Sequence, residues 1–133
     1  MALLISNGEF VSFHGPDPTM VRVEPANSGS VRFVNCAFWG PCNQIARIGG
    51  HGTVGFTDCT FVQWDHEKKG LAALQASGGT LLVRGCEFRE NKPQIDLGQE
   101  VHRAIISDNT VKGTLRINNQ TKGSVVIANN VGD

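Results

Sequence analysis

The apolar residues of this chain fall three times into the same broken alternation: Val31, Phe33, Cys36, Phe38, then Val54, Phe56, Cys59, Phe61, then Leu81, Val83, Cys86, Phe88. The first two residues of each set are two apart, the period of a strand with one buried face. The extra residue before each Cys fits a bend that turns the chain inward. Weaker copies lie in LLISNGEF, RAIISDNTV and SVVIANNV. With Gly8, Cys36, Cys59, Cys86, Asn109 and Asn129 as markers, the intervals are 28, 23, 27, 23 and 20 residues. A shorter apolar pair follows each of the first five copies: Val21 and Val23, Ile45 and Ile48, Leu71 and Leu74, Ile95 and Leu97, Leu115 and Ile117. The unit is therefore strand, bend, loop, strand, turn. It is too short to bury its own apolar face and must bury it on the next copy, which predicts a stacked repeat.

This pattern resembles the right-handed parallel β-helix of the pectate-lyase-like superfamily, whose coils often read V-x-I-x-x-N-x-I or a close variant. Ile106-Ser107-Asp108-Asn109-Thr110-Val111 fits it directly. The resemblance implies an all-β fold: one right-handed, single-stranded parallel β-helix domain over residues 1–133, with about five coils. It places Cys36, Cys59 and Cys86 at the ladder position, followed by Asn109 and Asn129, so that a sulfur stack gives way to an amide ladder. It also implies a carbohydrate-active or carbohydrate-binding protein, a polysaccharide lyase or glycoside hydrolase, secreted or at a cell surface. No catalytic motif of any single family is matched.

Composition narrows the picture. A chain of 133 residues is one domain by length, and 16 glycines with no tyrosine suit many tight turns. A net charge of zero argues against a nucleic-acid binder, which carries a basic stripe. No apolar run approaches the length of a membrane span. The start, MALLISNGEF, has no basic n-region and enters a repeat at once, so it does not read as a signal peptide. Solenoids need polar caps over their open ends, and neither end supplies an obvious one. Two expectations follow: the chain is a segment of a longer β-helix, or its ends are covered in a homo-oligomer, a dimer or a trimer.

Candidate chemistry comes from the loops, because insertions in a solenoid map to one face. Stacking in register brings together the loops after Phe13, Phe38, Phe61 and Phe88. The longest is Val62 to Gly70, VQWDHEKKG. Phe13, His14, Trp39, Trp64, Asp65, His66, Arg89, Glu90 and Lys92 then become neighbours. Aromatic rings beside charged groups suit a glycan, with rings against the sugar C–H face and polar groups on its hydroxyls. A glycan-binding edge centred on Trp39 and Trp64, with Phe13, His14 and Lys92, is the expectation; the alternative folds both Trp back as packing.

For catalysis, a lyase needs a base and a cation to stabilise the enolate. His66 or Lys68 is the candidate base and Arg89 the charge stabiliser. No cofactor is expected, although many superfamily members hold Ca²⁺ with Asp or Glu, which makes Asp65 and Glu67 candidate ligands. A hydrolase needs two carboxyl groups about 5 to 9.5 Å apart, and Asp65 with Glu90 is the best pair. The alternative is that DHEKK is a solvated loop tip. The cysteines show no zinc spacing and read as free, buried thiols, which favours a reducing compartment. Three functions remain: a carbohydrate-active enzyme, a non-catalytic glycan-binding or adhesion module of the phage-spike kind, and a purely structural solenoid.

Overall fold

The computed structural model describes residues 1–13 and 19–133. Among them every strand pairing is parallel and there is no helix. The first coil contains β1 (Ala2–Ser6), β2 (Glu9–Val11) and β3 (Thr19–Val23). The second contains β4 (Ser30–Val34), β5 (Ala37–Trp39) and β6 (Gln44–Ile48). The third starts with β7 (Thr53–Thr57) and β8 (Thr60–Val62) and closes on the first part of β9 (Leu74–Arg84). The rest of β9 opens the fourth coil, which adds β10 (Glu87–Phe88) and the first part of β11 (Ile95–Ser107). The remainder of β11, β12 (Thr110–Val111) and β13 (Ile117–Asn119) form the fifth. Next, β14 (Ser124–Ala128) and β15 (Val131–Gly132) begin another layer. The chain is thus a parallel β-solenoid of about five turns. A nine-stranded sheet holds the opening and closing strands of the coils, and the short middle strands β2, β5, β8, β10, β12 and β15 form a six-stranded sheet.

One backbone feature recurs in every layer. Asn7, Asn35, Asp58, Gly85, Asp108 and Asn129 each have φ between 53° and 64°. Gly, Asn and Asp enter this left-handed region at the least cost, and every corner carries one of the three. The corner is the extra residue seen in the repeat, and it aims the following side chain into the core. The registers Val34↔Thr57↔Arg84↔Ser107↔Ala128 and Ala37↔Thr60↔Glu87↔Thr110↔Val131 fix that following residue as Cys36, Cys59, Cys86, Asn109 and Asn130. The last marker is therefore Asn130. Asn129, expected there, occupies the corner instead, an ambiguity created by two adjacent asparagines.

Each ladder side chain reaches the same carbonyl of the preceding coil. Cys36 Sγ donates to Ile5 O, Cys59 Sγ to Phe33 O and Cys86 Sγ to Phe56 O, at 3.6, 3.5 and 3.4 Å. Asn109 Nδ2 donates to Val83 O and Asn130 Nδ2 to Ile106 O, at 3.1 and 3.0 Å. Asn109 Oδ1 also accepts the Cys86 N–H at 2.8 Å, and Asn130 Oδ1 the Asn109 N–H at 3.1 Å.

Above this ladder sit two columns of rings. Phe10, Phe38, Phe61 and Phe88 stack at centroid spacings of 5.0, 5.6 and 4.8 Å, and Phe33 stacks on Phe56 at 5.1 Å. Between the columns the rings meet edge to face, as in Phe38 against Phe56 at 5.8 Å. Fully burying one such ring contributes roughly 1.5–3 kcal/mol.

The second apolar pairs stack as Val21–Ala46–Leu74–Ile95–Ile117 and Val23–Ile48–Ala76–Leu97–Asn119. Three of the expected pairs are therefore displaced: Ala46 replaces Ile45, Leu74 with Ala76 replaces Leu71 with Leu74, and Ile117 with Asn119 replaces Leu115 with Ile117. The alternation was hidden where Ala and Asn take inward positions. β9 continues through Ser77-Gly78-Gly79 but bends there: Gly79 has a φ of 73°, and the pairing with β11 shifts register between Leu97 and Glu100 and between Val101 and Arg103. At Gly52 a side chain is excluded, because a Cβ there would lie 1.9 Å from Gly29 O in the coil below.

The Asn109 and Asn130 side chains each make three ladder bonds, and Asn109 is the buried one of the two. Asn109→Ala leaves the Cys86 N–H without a partner and removes the amide bonds to Val83 O and Asn130 Oδ1, and urea titration should report a loss of about 2–4 kcal/mol. Asn109→Cys, which restores the donor used in the coils below, should lose less.

Candidate functional site

The loop that follows β8 is built by its own backbone. Gln63, Asp65 and Lys68 all have positive φ, at 61°, 51° and 56°. The loop is held by the Asp65 carboxylate: Oδ1 accepts Lys69 N at 2.9 Å and Oδ2 accepts Gly70 N at 3.0 Å. Asp65 N and His66 N donate to Asn43 O and Cys42 O in the coil below. Both carboxylate oxygens of Asp65 are thus engaged and the residue is buried.

Trp64 lies entirely in the core, 0% exposed, with its indole Nε1 donating to Pro93 O at 2.9 Å and its ring edge-on to Phe88. It offers no face to a ligand, so the expectation of a Trp39 and Trp64 platform is corrected here; packing wins because the long loop folds its one large ring under itself. Lys92 locks this arrangement. Its Nζ donates to Trp64 O at 2.6 Å, pairs with Glu90 Oε1 at 3.4 Å and lies 5.9 Å from the centre of the Trp64 ring. Glu90 Oε2 accepts Gln63 N at 2.5 Å.

Of the sequence-predicted residues, Trp64, Asp65, His66, Lys68, Glu90 and Lys92 line one open depression with Pro41 and Gln63. His66 and Lys68 are exposed at its rim. Beneath it Cys42 is buried, its Sγ donating to Gln63 O at 3.7 Å, and burial followed by the charge of Glu90 pushes this thiol up to about 12. At the loop tip the Lys69 ammonium bonds Glu67 at 2.6 Å and holds the Glu67 carboxyl below the usual carboxylate range.

Asp65 bonds backbone N–H groups with both oxygens, and Glu67 bonds Lys69 and Asn43. Among the described residues no group of three or more His, Cys, Asp or Glu side chains could hold a metal ion. The proposed hydrolase pair meets a similar obstacle. Asp65 is committed on both oxygens, and Glu90 holds Gln63 N and Lys92.

Arg89, Trp39 and Phe13 sit elsewhere. Arg89 is exposed beside Glu87, 3.6 Å away, on the outside of the six-stranded sheet. Trp39 lies on the same outer face, 40% exposed, in register with Val11 and Val62. The ladder bonds Arg89 N to Phe61 O and Lys112 N to Phe88 O extend this column through Arg89 to Lys112. Phe13 is 88% exposed, just beyond Ser12, whose N–H donates to Trp39 O at 2.9 Å. His14 lies outside the described residues.

The expected single edge is therefore two surfaces: the loop depression, and a column on the sheet face in which Val11, Trp39, Arg89 and Lys112 are exposed while Val62, between Trp39 and Arg89, is buried. Sequence reasoning overlooked Lys112 and the column itself. Its signal was present, because each member directly follows an inward marker: Phe10, Phe38, Phe61, Phe88 or Val111. Comparison with known protein families, with curated proteins and with solved structures finds no match to this chain.

The two tryptophans differ enough in exposure to be separated by emission. Trp39→Phe should remove the iodide-quenchable fluorescence and leave a blue-shifted, unquenched Trp64 signal. A strongly quenchable signal in that variant would contradict the burial of Trp64.

Proposed function

We propose that this chain is a glycan-binding β-solenoid module that binds without turnover, with the sugar lying over Trp39 on the outer face of the six-stranded sheet. The observation that carries this reading is a half-exposed indole in the same register column as the exposed Arg89 and Lys112, with Val62 buried between them. Thr60, Glu87 and Thr110 form the neighbouring outward column. A ring of this kind covers a sugar's C–H face, while hydroxyl, carboxylate and cationic groups take its hydroxyls. Successive strands lie about 4.8 Å apart, so these groups present themselves along the solenoid axis at regular steps. The resemblance of the repeat to the pectate-lyase-like superfamily supports a polysaccharide as the ligand class.

Binding has more support than catalysis because of what the candidate catalytic groups already do. A general base must reach the proton it removes, and a hydrolase carboxyl pair must face the glycosidic bond. Of the carboxyl pair, Asp65 instead bonds the loop backbone with both oxygens and Glu90 holds Gln63 N and Lys92, while Arg89, the candidate charge stabiliser, lies on the sheet face and not in the depression with the candidate bases His66 and Lys68. Screening neutral and acidic polysaccharides should find binding without unsaturated or reducing-end products. Trp39→Ala should weaken that binding at least tenfold, about 1.4 kcal/mol, with an unchanged circular-dichroism spectrum. Equal affinity in the variant would remove this face from consideration, and product formation would sink the binding-only reading.

A second reading, a structural or spike-like element in a larger assembly, is favoured by the open ends of the stack. Among the described residues β1 pairs only with β4 and β14 only with β11, and the inward residues Leu3 and Ile127 are exposed there. Such edges template further strands. Sedimentation velocity should reveal concentration-dependent self-association; a single monomer boundary at all concentrations would count against copies of this chain covering those ends.

A further inference from the structure

The ladder thiols have a chemistry that the fold does not use. Cys59 and Cys86 follow equivalent corners on adjacent coils, and the flanking registers Thr57↔Arg84 and Thr60↔Glu87 set them directly opposite. Parallel neighbours lie about 4.8 Å apart, inside the roughly 4.4–6.8 Å Cα separation that a disulfide spans. Each thiol donates to carbonyls, Cys59 Sγ to Phe33 O and Thr57 O and Cys86 Sγ to Phe56 O and Arg84 O, and Cys86 is held far above the ordinary range by the neighbouring Cys59 thiol and then by burial. Both are free and about 1% exposed. In the closed coil both sulfurs are shut away from solvent, so an oxidant in solution does not reach them.

We propose that Cys59 and Cys86 are an inter-coil redox pair whose state is set while the coils close: folding in the presence of a small disulfide oxidant staples the third coil to the fourth, whereas the folded, reduced chain resists the same oxidant. The chemistry balances as two exchanges. One Cys thiolate attacks a sulfur of oxidised glutathione and releases one reduced glutathione, forming a mixed disulfide. The second Cys thiolate then attacks the protein sulfur of that intermediate and releases the other glutathione. Two protein thiols are oxidised, one glutathione disulfide is reduced, and two protons pass to the leaving thiolates. The bond replaces the weak donations of Cys59 Sγ to Phe33 O and of Cys86 Sγ to Phe56 O, and it closes a loop that contains the whole Asp65 segment.

The test compares refolding from denaturant in oxidised glutathione with exposure of the already folded chain to the same reagent. Free thiols are then alkylated in denaturant and the tryptic peptides analysed by mass spectrometry. Refolded protein should yield a peptide pair linked through Cys59 and Cys86 and unfold several degrees higher than the reduced form. The folded chain should acquire that link at least tenfold more slowly. A Cys36→Ala, Cys42→Ala double variant, with folding verified by circular dichroism, isolates the pair and should give the same link. Refolded protein with no such link, a dominant link through Cys36 or Cys42, or equally fast oxidation of the folded chain would each overturn the proposal.

Discussion

The structure depends on a left-handed corner repeated once per layer. A corner residue with positive φ turns the strand and drives its successor inward, where that side chain bonds a carbonyl of the coil below. Without the corner, alternation would send the next residue outward and each layer would lose its bond to the last. Every other feature, the ring columns and the aligned loops included, inherits its position from this bend. The requirement is conformational first and chemical second. Asn, Asp or Gly must occupy the corner, whereas Cys or Asn serves at the ladder.

The change from Cys to Asn along the ladder coincides with a change in the core. From the second coil to the fourth the thiols donate weakly, and the phenylalanine column from Phe10 to Phe88 supplies cohesion by stacked and tilted ring contacts. Where the rings stop at Val111, the ladder becomes Asn109 and Asn130, joined to each other by a 2.9 Å amide bond. One half of the molecule is held chiefly by dispersion and area, the other more by directional hydrogen bonds. Inter-coil cohesion is therefore sustained by different means at the two ends.

Much of this architecture was legible in the chain, because the repeat of Val-x-Phe-x-x-Cys-x-Phe encodes both the strand period and its interruption. The ladder register was readable except in the last layer, where Asn129 and Asn130 are chemically alike and only strand pairing separates corner from rung. The closing strands were harder to read. Ala46, Ala76 and Asn119 hold inward positions without the bulk that marks a buried face. The site was legible only in part. Loop registry predicted that residues around Trp64 and Glu90 would meet, and they do. Sequence pattern alone does not distinguish a tryptophan that faces solvent from one that folds beneath its own loop, since that depends on Asp65, Lys92 and Pro93 acting from different coils. The sheet-face column around Trp39 has no loop insertion to mark it, and its only sign in the chain is the residue that follows each inward marker.

The unequal spacing of the corners has a meaning of its own. Layers of different lengths share one set of columns because excess residues are expelled sideways before the next bend and do not accumulate along the axis. The exposed tip at residues 66–70 can be lengthened, shortened or exchanged while Cys59 and Cys86 keep their seats. The solenoid thus separates its scaffold from its decoration: heredity can rewrite the outer loops freely, but a single residue gained or lost between a corner and its rung would turn the buried face of that layer outward.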